Sequence, residues 1–242
     1  MRLDKLLSNM GFGSRKDLKA ILKKKHITVN EKIVKDGSMH VDTEVDIIKV
    51  QGEIVTYQKY IYLMMNKPPG YVSATVDDRY KTVIDMLPSS YQLFNPFPVG
   101  RLDKDTEGLL LITNDGELAH QLISPKKDVE KTYYAKIKGH VTEDDITKFN
   151  NGIILDDGYQ AKPASLKILH ADIQSEIEIT VTEGKYHQVK RMFDAVNKKV
   201  VFLKRIKMGE LELDCNLSTG DIRELTKDEM KYCLSKKRAD KD

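Results

Sequence analysis

The opening residues alternate apolar and polar positions with a helical period. Leu3, Leu6 and Leu7 predict a short helix that Gly11 and Gly13 end. Ser14 then reads as an N-cap with Asp17 at the third helical position, and Leu18, Ile21 and Leu22 predict the buried face of a second helix. At about 100° per residue, Lys16, Lys19 and Lys23 fall together on the opposite face. The period then drops to two. Ile27 and Val29 alternate, Asn30-Glu31 turns the chain, and Ile33 follows. Val45, Ile47 and Val50 predict a further strand, and Gly52 is expected to end this unit. Residues 53–60 read as a junction.

The longer remainder carries stronger apolar runs. Tyr60–Met65 predicts a strand leading into Asn66-Lys67-Pro68-Pro69-Gly70, where two prolines and a glycine impose a loop. The stretch from Asp77 to Pro98 is irregular, and loops of that length in a compact domain are usually functional or disordered. Leu109-Leu110-Leu111-Ile112 predicts a buried strand closed by a turn at Asn114-Asp115-Gly116. Ile153-Ile154-Leu155 followed by Asp156-Asp157-Gly158 is a hairpin signal with no chemistry attached. Ile177, Ile179 and Val181 alternate with polar neighbours as a half-buried strand, and Val189, Met192, Phe193 and Val196 mark a helix packed on it. On that helix Lys190 lies about 110° from the centre of the apolar stripe and Arg191 about 150°. Lys190 is therefore expected nearer the buried boundary and Arg191 in a better place for phosphate.

Composition narrows the class. The 242 residues, 40% hydrophobic and 32% charged, suffice for one large domain or for a small and a medium one. No apolar run approaches membrane-spanning length, and the start of the chain carries no apolar leader, so a cytoplasmic location is expected. Cys215 and Cys233 show no metal-ligand spacing and read as reduced thiols; the six histidines show no metal pattern either. The net charge of +3 conceals two basic patches: residues 1–36 hold ten Lys and Arg against four acids, and residues 184–207 hold eight against one. Two such patches on an otherwise acidic chain suit a polyanion gripped at two places, although solvated helix faces would produce the same count.

The densest candidate chemistry lies between Val99 and Gly116, where Arg101, Asp103, Lys104 and Asp105 abut the apolar strand. A carboxylate held near low dielectric needs a cationic partner or takes up a proton. Taken alone, Asp103 and Asp105 could equally be turn caps.

Two resemblances change that weighting. Arg2-Leu3-Asp4-Lys5-Leu6-Leu7, Gly13-Ser14-Arg15, Ile27-Thr28-Val29-Asn30 and Asp46-Ile47-Ile48-Lys49-Val50 resemble the S4 RNA-binding domain over about the first 55 residues. The chain departs from that pattern with Asn30-Glu31 where Asn-Gly is common, and with Lys23-Lys24-Lys25 in place of a Gly-bearing turn. Gly100-Arg101-Leu102-Asp103 resembles the catalytic motif of pseudouridine synthases. Glu130-Lys131-Thr132-Tyr133 and Glu183-Gly184-Lys185-Tyr186-His187-Gln188-Val189-Lys190-Arg191-Met192 resemble that family's second and third motifs.

The resemblance implies an α+β chain: an S4-type RNA-binding domain over 1–55, a synthase domain over 60–235 with a mixed, mostly antiparallel sheet flanked by helices, and a charged tail over 236–242. It implies Asp103 as nucleophile, Tyr133 packed on the target base and Lys190 paired with Asp103. Only one of Tyr133 and Tyr134 can face the site, because neighbours on a strand point to opposite faces. Arg2, Arg15, Lys16, Lys19, Lys23, Arg101, Lys185 and Arg191 are the candidate RNA contacts. No cofactor or metal is implied. The form His-Gln-Val-Lys-Arg-Met is most similar to the small-subunit synthase A family, which implies a uridine-516 type target in 16S rRNA, free or in an assembly intermediate, modified by a monomer during ribosome biogenesis. Large-subunit rRNA and a non-catalytic S4-type RNA-binding protein are the alternatives. Attack on C1′ or on C6 stays open.

Overall fold

The computed structural model describes residues 1–124 and 127–238 and divides into two compact units. The charged tail expected from 236 onward begins inside the last helix, and its residues 239–242 lie outside the described residues.

The first unit comprises Met1–Ile61 with Pro88–Pro96. It contains α1 (Leu3–Asn9), α2 (Arg15–Lys23), β1 (Ile27–Val29), β2 (Lys32–Ile33), β3 (Ile48–Val50), β4 (Glu53–Ile54) and α3 (Ser89–Gln92). The Ser14–Asp17 capping box forms as expected and starts α2. Leu3, Leu6, Leu7, Leu18 and Leu22 join Ile27, Val29, Ile48 and Val50 in one core. The strands run antiparallel in the order β2-β1-β3-β4. Asn30 and Glu31 both take positive φ (49° and 65°), the turn geometry whose twist matches a two-residue hairpin.

Two expectations for this unit are corrected. Val45 and Ile47 are exposed, because the strand begins at Ile48 and its inward positions are Ile48 and Val50; the apolar pair Ile47-Ile48 permitted either parity. Gly52 does not close the unit. It sits at φ 90° in the turn between β3 and β4, and the junction segment thus starts with a strand.

The second unit comprises Tyr62–Leu87 and Phe97–Asp242. Its elements are β5 (Tyr62–Lys67), β6 (Phe97–Val99), β7 (Glu107–Thr113), α4 (Gly116–Ile123), β8 (Lys131–Lys138), α5 (Glu143–Asn150), β9 (Ser165–His170), β10 (Gln174–Val181), α6 (Gln188–Asp194), β11 (Lys199–Met208), β12 (Leu211–Glu212), β13 (Ile222–Glu224) and α7 (Lys227–Arg238). The central path of the sheet is β13-β5-β7-β11-β8-β10-β9, with β6 on β7 and β12 on β11. Among the described residues only β7 and β11 pair in parallel, so the sheet is mixed and mostly antiparallel. At that junction Gly108 lies so close to β11 that a Cβ would meet the Arg205 carbonyl oxygen at 2.2 Å, and its φ of 102° already favours glycine.

β10 buries Ile177, Ile179 and Val181 on the alternation expected, against Val189, Met192 and Phe193 of α6. β7 buries the whole run from Gly108 to Thr113, as a central strand covered on both faces does. The turn expected at Asn114-Asp115-Gly116 is a helix start instead, where the Asp115 carboxylate accepts the Leu118 N–H at 3.2 Å and caps α4. The stretch from Asp77 to Pro98 is not wholly irregular, since it contains α3 and leads into β6.

Candidate active site

Asp103 lies on the loop before β7, and three elements fix that loop. The Leu102 N–H donates to Ser73 Oγ at 3.0 Å, and the Ser73 hydroxyl donates back to the Leu102 carbonyl at 2.9 Å. The Gly70 N–H donates to the Lys104 carbonyl at 2.7 Å. Lys67, the last residue of β5, is fully buried, and its ammonium donates to the carbonyls of Pro68 (3.0 Å), Asp103 (3.1 Å), Lys104 (3.3 Å) and Thr106 (2.9 Å). Burial pushes Lys67 down to about 8, against the pull of Asp105, Asp103 and Glu107. The lysine is still cationic at neutral pH and gathers the backbone around Asp103 from beneath. Sequence reasoning had assigned Lys67 to the proline loop. The sequence signal is weak, a lysine closing a strand after Asn66, and three of its four acceptors lie far along the chain.

The Asp103 carboxylate is half-buried and receives Lys190 Nζ from α6 at 3.1 Å. His187 Nε2 stands 3.7 Å from the same oxygen. Lys190 also donates to Asp105 Oδ1 at 2.6 Å, so one ammonium bridges both acids. Burial lowers the Lys190 pKa, but the hydrogen bonds that it donates to Asp105 and Asp103 outweigh this and hold the group above the ordinary lysine value. Burial likewise raises Asp105, yet the hydrogen bond and charge of Lys190 keep it below the usual carboxylate range. The structure therefore brings together Asp103 and Lys190 and adds Asp105, which had been read only as part of the loop.

Tyr133 sits on β8 opposite Ile179 of β10 and Arg205 of β11. With Asp103, Lys185, Gln188 and Leu203 it lines a small cavity of about 70 Å³. This opens beside a cleft of about 790 Å³ walled by Arg101, Asp103, Lys104, Tyr186, His187 and Lys190. Tyr134 points to the other face of the sheet, where its hydroxyl donates to Glu176 at 2.7 Å, as strand alternation requires. Tyr186, largely exposed, stacks on the His187 ring at a centroid distance of 3.8 Å, and His187 holds the left-handed φ of 49° that turns the chain into α6. Neither aromatic had been assigned a role. Among the described residues no group of three or more His, Cys, Asp or Glu side chains gathers as a metal would need.

The expected RNA contacts divide. Lys16, Lys19 and Lys23 are exposed along α2 with Arg15. Arg2 is bonded to Asp4 at 2.7 Å, and Lys185 lies 4.5 Å over the Tyr159 ring. Arg101 is exposed at the cleft wall. Arg191 differs from expectation. Its side chain is 17% exposed, against 20% for Lys190, and it is bound by Asp156 (2.5 Å) and Asp157 (2.7 Å). The turn read as carrying no chemistry thus supplies the partners of Arg191.

A family model described as RNA pseudouridylate synthase matches residues 61–195, and one for the S4 domain matches residues 1–47. The chain belongs to the RNA pseudouridylate synthase family. Over 231 residues it is 51% identical to the uncharacterized RNA pseudouridine synthase YtzG of Bacillus subtilis, covering 95% of this chain and 97% of that one. It is 40% identical to ribosomal large subunit pseudouridine synthase B of B. subtilis (95% and 94% covered) and 39% identical to ribosomal small subunit pseudouridine synthase A of Haemophilus influenzae (95% and 98% covered). A solved pseudouridylate synthase, 36% identical, superposes with a TM-score of 0.67 over 96% of this synthase and 99% of its own chain. The enzyme is thus an isomerase with an S4 domain at its N-terminus, and the cleft around Asp103 lies in its catalytic unit.

Proposed function

We propose that this synthase converts one uridine of 16S ribosomal RNA, of the uridine-516 type, to pseudouridine, with Asp103 as the nucleophile. The observation that carries the chemical part is the Asp103 carboxylate held at 3.1 Å by an ammonium at the floor of a cleft beside Tyr133. The reaction breaks the N1–C1′ bond, turns the uracil and rejoins it through C5, the C5 hydrogen leaving as a proton and N1 taking one up. Asp103 attacks C1′ or C6 of the unstacked nucleoside. Lys190 holds and aims that carboxylate. Tyr133 stacks on the base and limits its motion while it is free, and the narrowness of the small cavity keeps water from the intermediate. Extruding the base from its stack costs a few kcal/mol. Phosphate contacts from Arg15, Lys16, Lys19 and Lys23 on the S4 domain, and from Arg101 and Lys185 beside the cleft, offset that cost. Arg191 joins those contacts when RNA competes with Asp156 and Asp157. The enzyme acts as a monomer in the cytoplasm, during ribosome assembly.

The small-subunit target rests on the His187-Gln188-Val189-Lys190-Arg191-Met192 form of the third motif. A second reading, a large-subunit target, is favoured by the 40% identity to the large-subunit synthase B of B. subtilis. Mapping pseudouridine in 16S and 23S rRNA from a strain lacking the gene separates them. Loss of one site in 16S rRNA supports the proposal, and loss of a site in 23S rRNA with 16S rRNA intact replaces it by the second reading.

A further inference from the structure

A second cavity of about 440 Å³ lies in the catalytic unit and shares Arg101, Tyr133 and the Glu183–Lys185 turn with the small cavity that holds Asp103. Its walls also carry Lys131, Lys162 and Arg205. Two of these cations are largely covered by protein. Arg205 is 2% exposed; its Nε–H donates to the Leu109 carbonyl at 2.8 Å, while its buried Nη2 has no hydrogen-bond partner. Lys131 Nζ donates to the carbonyls of Val129 (2.7 Å) and Thr182 (3.4 Å). Burial pushes Lys131 down to about 8, and the charge of Arg205 pushes it the same way.

The carboxylates around this cavity are already bound. Glu183 accepts from the Tyr159 hydroxyl (2.7 Å), the Lys162 N–H (3.0 Å) and Gln188 Nε2 (2.6 Å), and Asp128 accepts from Lys162 Nζ (2.5 Å). Among the described residues neither Lys131 nor Arg205 has a carboxylate within ion-pair distance. Arg205, buried, and Lys131, partly exposed, are neighbouring cations with no ion-pair partner, and Asp128 acts on Lys131 only at longer range, so their mutual repulsion destabilises the empty protein. An anion in the cavity offsets that repulsion: it can reach the Lys131 ammonium directly, whereas Arg205 Nη2 is closed off from solvent and acts on it through its charge alone. The position suggests which anion. A nucleoside whose base enters the Asp103 cavity is joined to its neighbours by phosphodiesters, and the second cavity shares a wall with the first.

We propose that this cavity is a phosphodiester subsite, in which Lys131 contacts the backbone phosphate adjoining the target uridine and Arg205 supplies a second charge behind it. The inference rests on the reading of the Asp103 cavity as the uridine site. Its effect is to pin the strand while the detached base turns.

The test uses RNA oligonucleotides that the wild-type protein demonstrably modifies, so that an error about the target subunit changes only the sequence chosen. One methylphosphonate, which removes a single phosphate charge, is placed beside the target or several nucleotides away. Binding is measured in an Asp103→Asn background with Lys131, Lys131→Met or Lys131→Arg. Loss of one charge-assisted contact predicts about a tenfold weakening for the adjoining methylphosphonate when Lys131 or Arg is present, and less than about twofold with Met. The distant methylphosphonate should weaken all three proteins equally. Independent, additive losses from the Met substitution and the adjoining methylphosphonate overturn the proposal. So does stabilisation by inorganic phosphate that requires Lys131 but comes without any coupling to the RNA backbone, since the cavity then takes a free anion instead of the strand.

Discussion

Replacing Lys67 with Met keeps the length of the side chain and removes its donors, which makes it a sharp test of how the Asp103 loop is held. The three ammonium hydrogens serve four carbonyls, those of Pro68, Asp103, Lys104 and Thr106. At about 1.5–3 kcal/mol for each hydrogen bond to a charged group, their loss costs roughly 4–9 kcal/mol. Burying the charge works the other way. A shift from 10.5 to about 8 corresponds to about 3 kcal/mol. The variant should therefore be less stable by roughly 1–6 kcal/mol at pH 7, a fall in Tm of about 2–24 °C for a protein of this size. The pH dependence has a definite sign. The folded pKa lies below the unfolded one, so between about 8 and 10.5 the unfolded chain binds more protons and this site adds stability as pH rises. The gap between wild type and Lys67→Met should widen by up to about 1.4 kcal/mol per pH unit across that window. Urea unfolding of both proteins at pH 7, 8, 9 and 10 measures it. A variant as stable as wild type at pH 7, or a gap that narrows with rising pH, refutes the reasoning.

Three further outcomes follow from the same geometry. Lys190→Met strips Asp103 and Asp105 of their shared counter-charge and should cut turnover by more than it cuts RNA affinity; equal losses in both would make α6 only a phosphate-binding surface. Changing Lys16, Lys19 and Lys23 together to Gln should leave the melting curve unchanged, because all three are exposed, and should reduce the slope of log K against log salt by about 2 if each meets a phosphate. Gly108→Ala should destabilise the catalytic unit by roughly 3–5 kcal/mol in the same urea assay, since the added Cβ meets backbone of β11 that has no room to retreat.

What could be read from the sequence is what depends on near neighbours. The Ser14–Asp17 cap, the apolar run of β7, the alternation in β10 and the stripe of α6 are all set within a few residues; the first three form as expected, and the stripe forms as far as Phe193, with α6 ending at Asp194 before Val196. The motifs carried the pairing of Asp103 with Lys190 because both lie within recognisable segments. Strand parity at Ile47-Ile48 was not readable, since two adjacent apolar residues leave the inward face undecided until β1 sets the register. The helical wheel placed Arg191 further into solvent than Lys190, but it took no account of a turn more than thirty residues earlier whose two aspartates cover the guanidinium. Lys67 and Arg205 were missed for the same reason. Each ends or interrupts an apolar strand, and their partners are carbonyls of a distant loop and strand, which no local pattern announces.

The central claim is that the Asp103 carboxylate is the nucleophile. Release of tritium from RNA labelled at C5 of uridine, followed for wild type and Asp103→Asn with enzyme in excess, tests it most directly. The amide keeps the size of the side chain and an acceptor oxygen for Lys190 while removing the nucleophilic carboxylate. With Asp103 as nucleophile, the variant folds, binds RNA within about twofold of wild type and releases no tritium above background. Release at a rate near that of wild type would contradict it and move the chemistry to another group in the cleft.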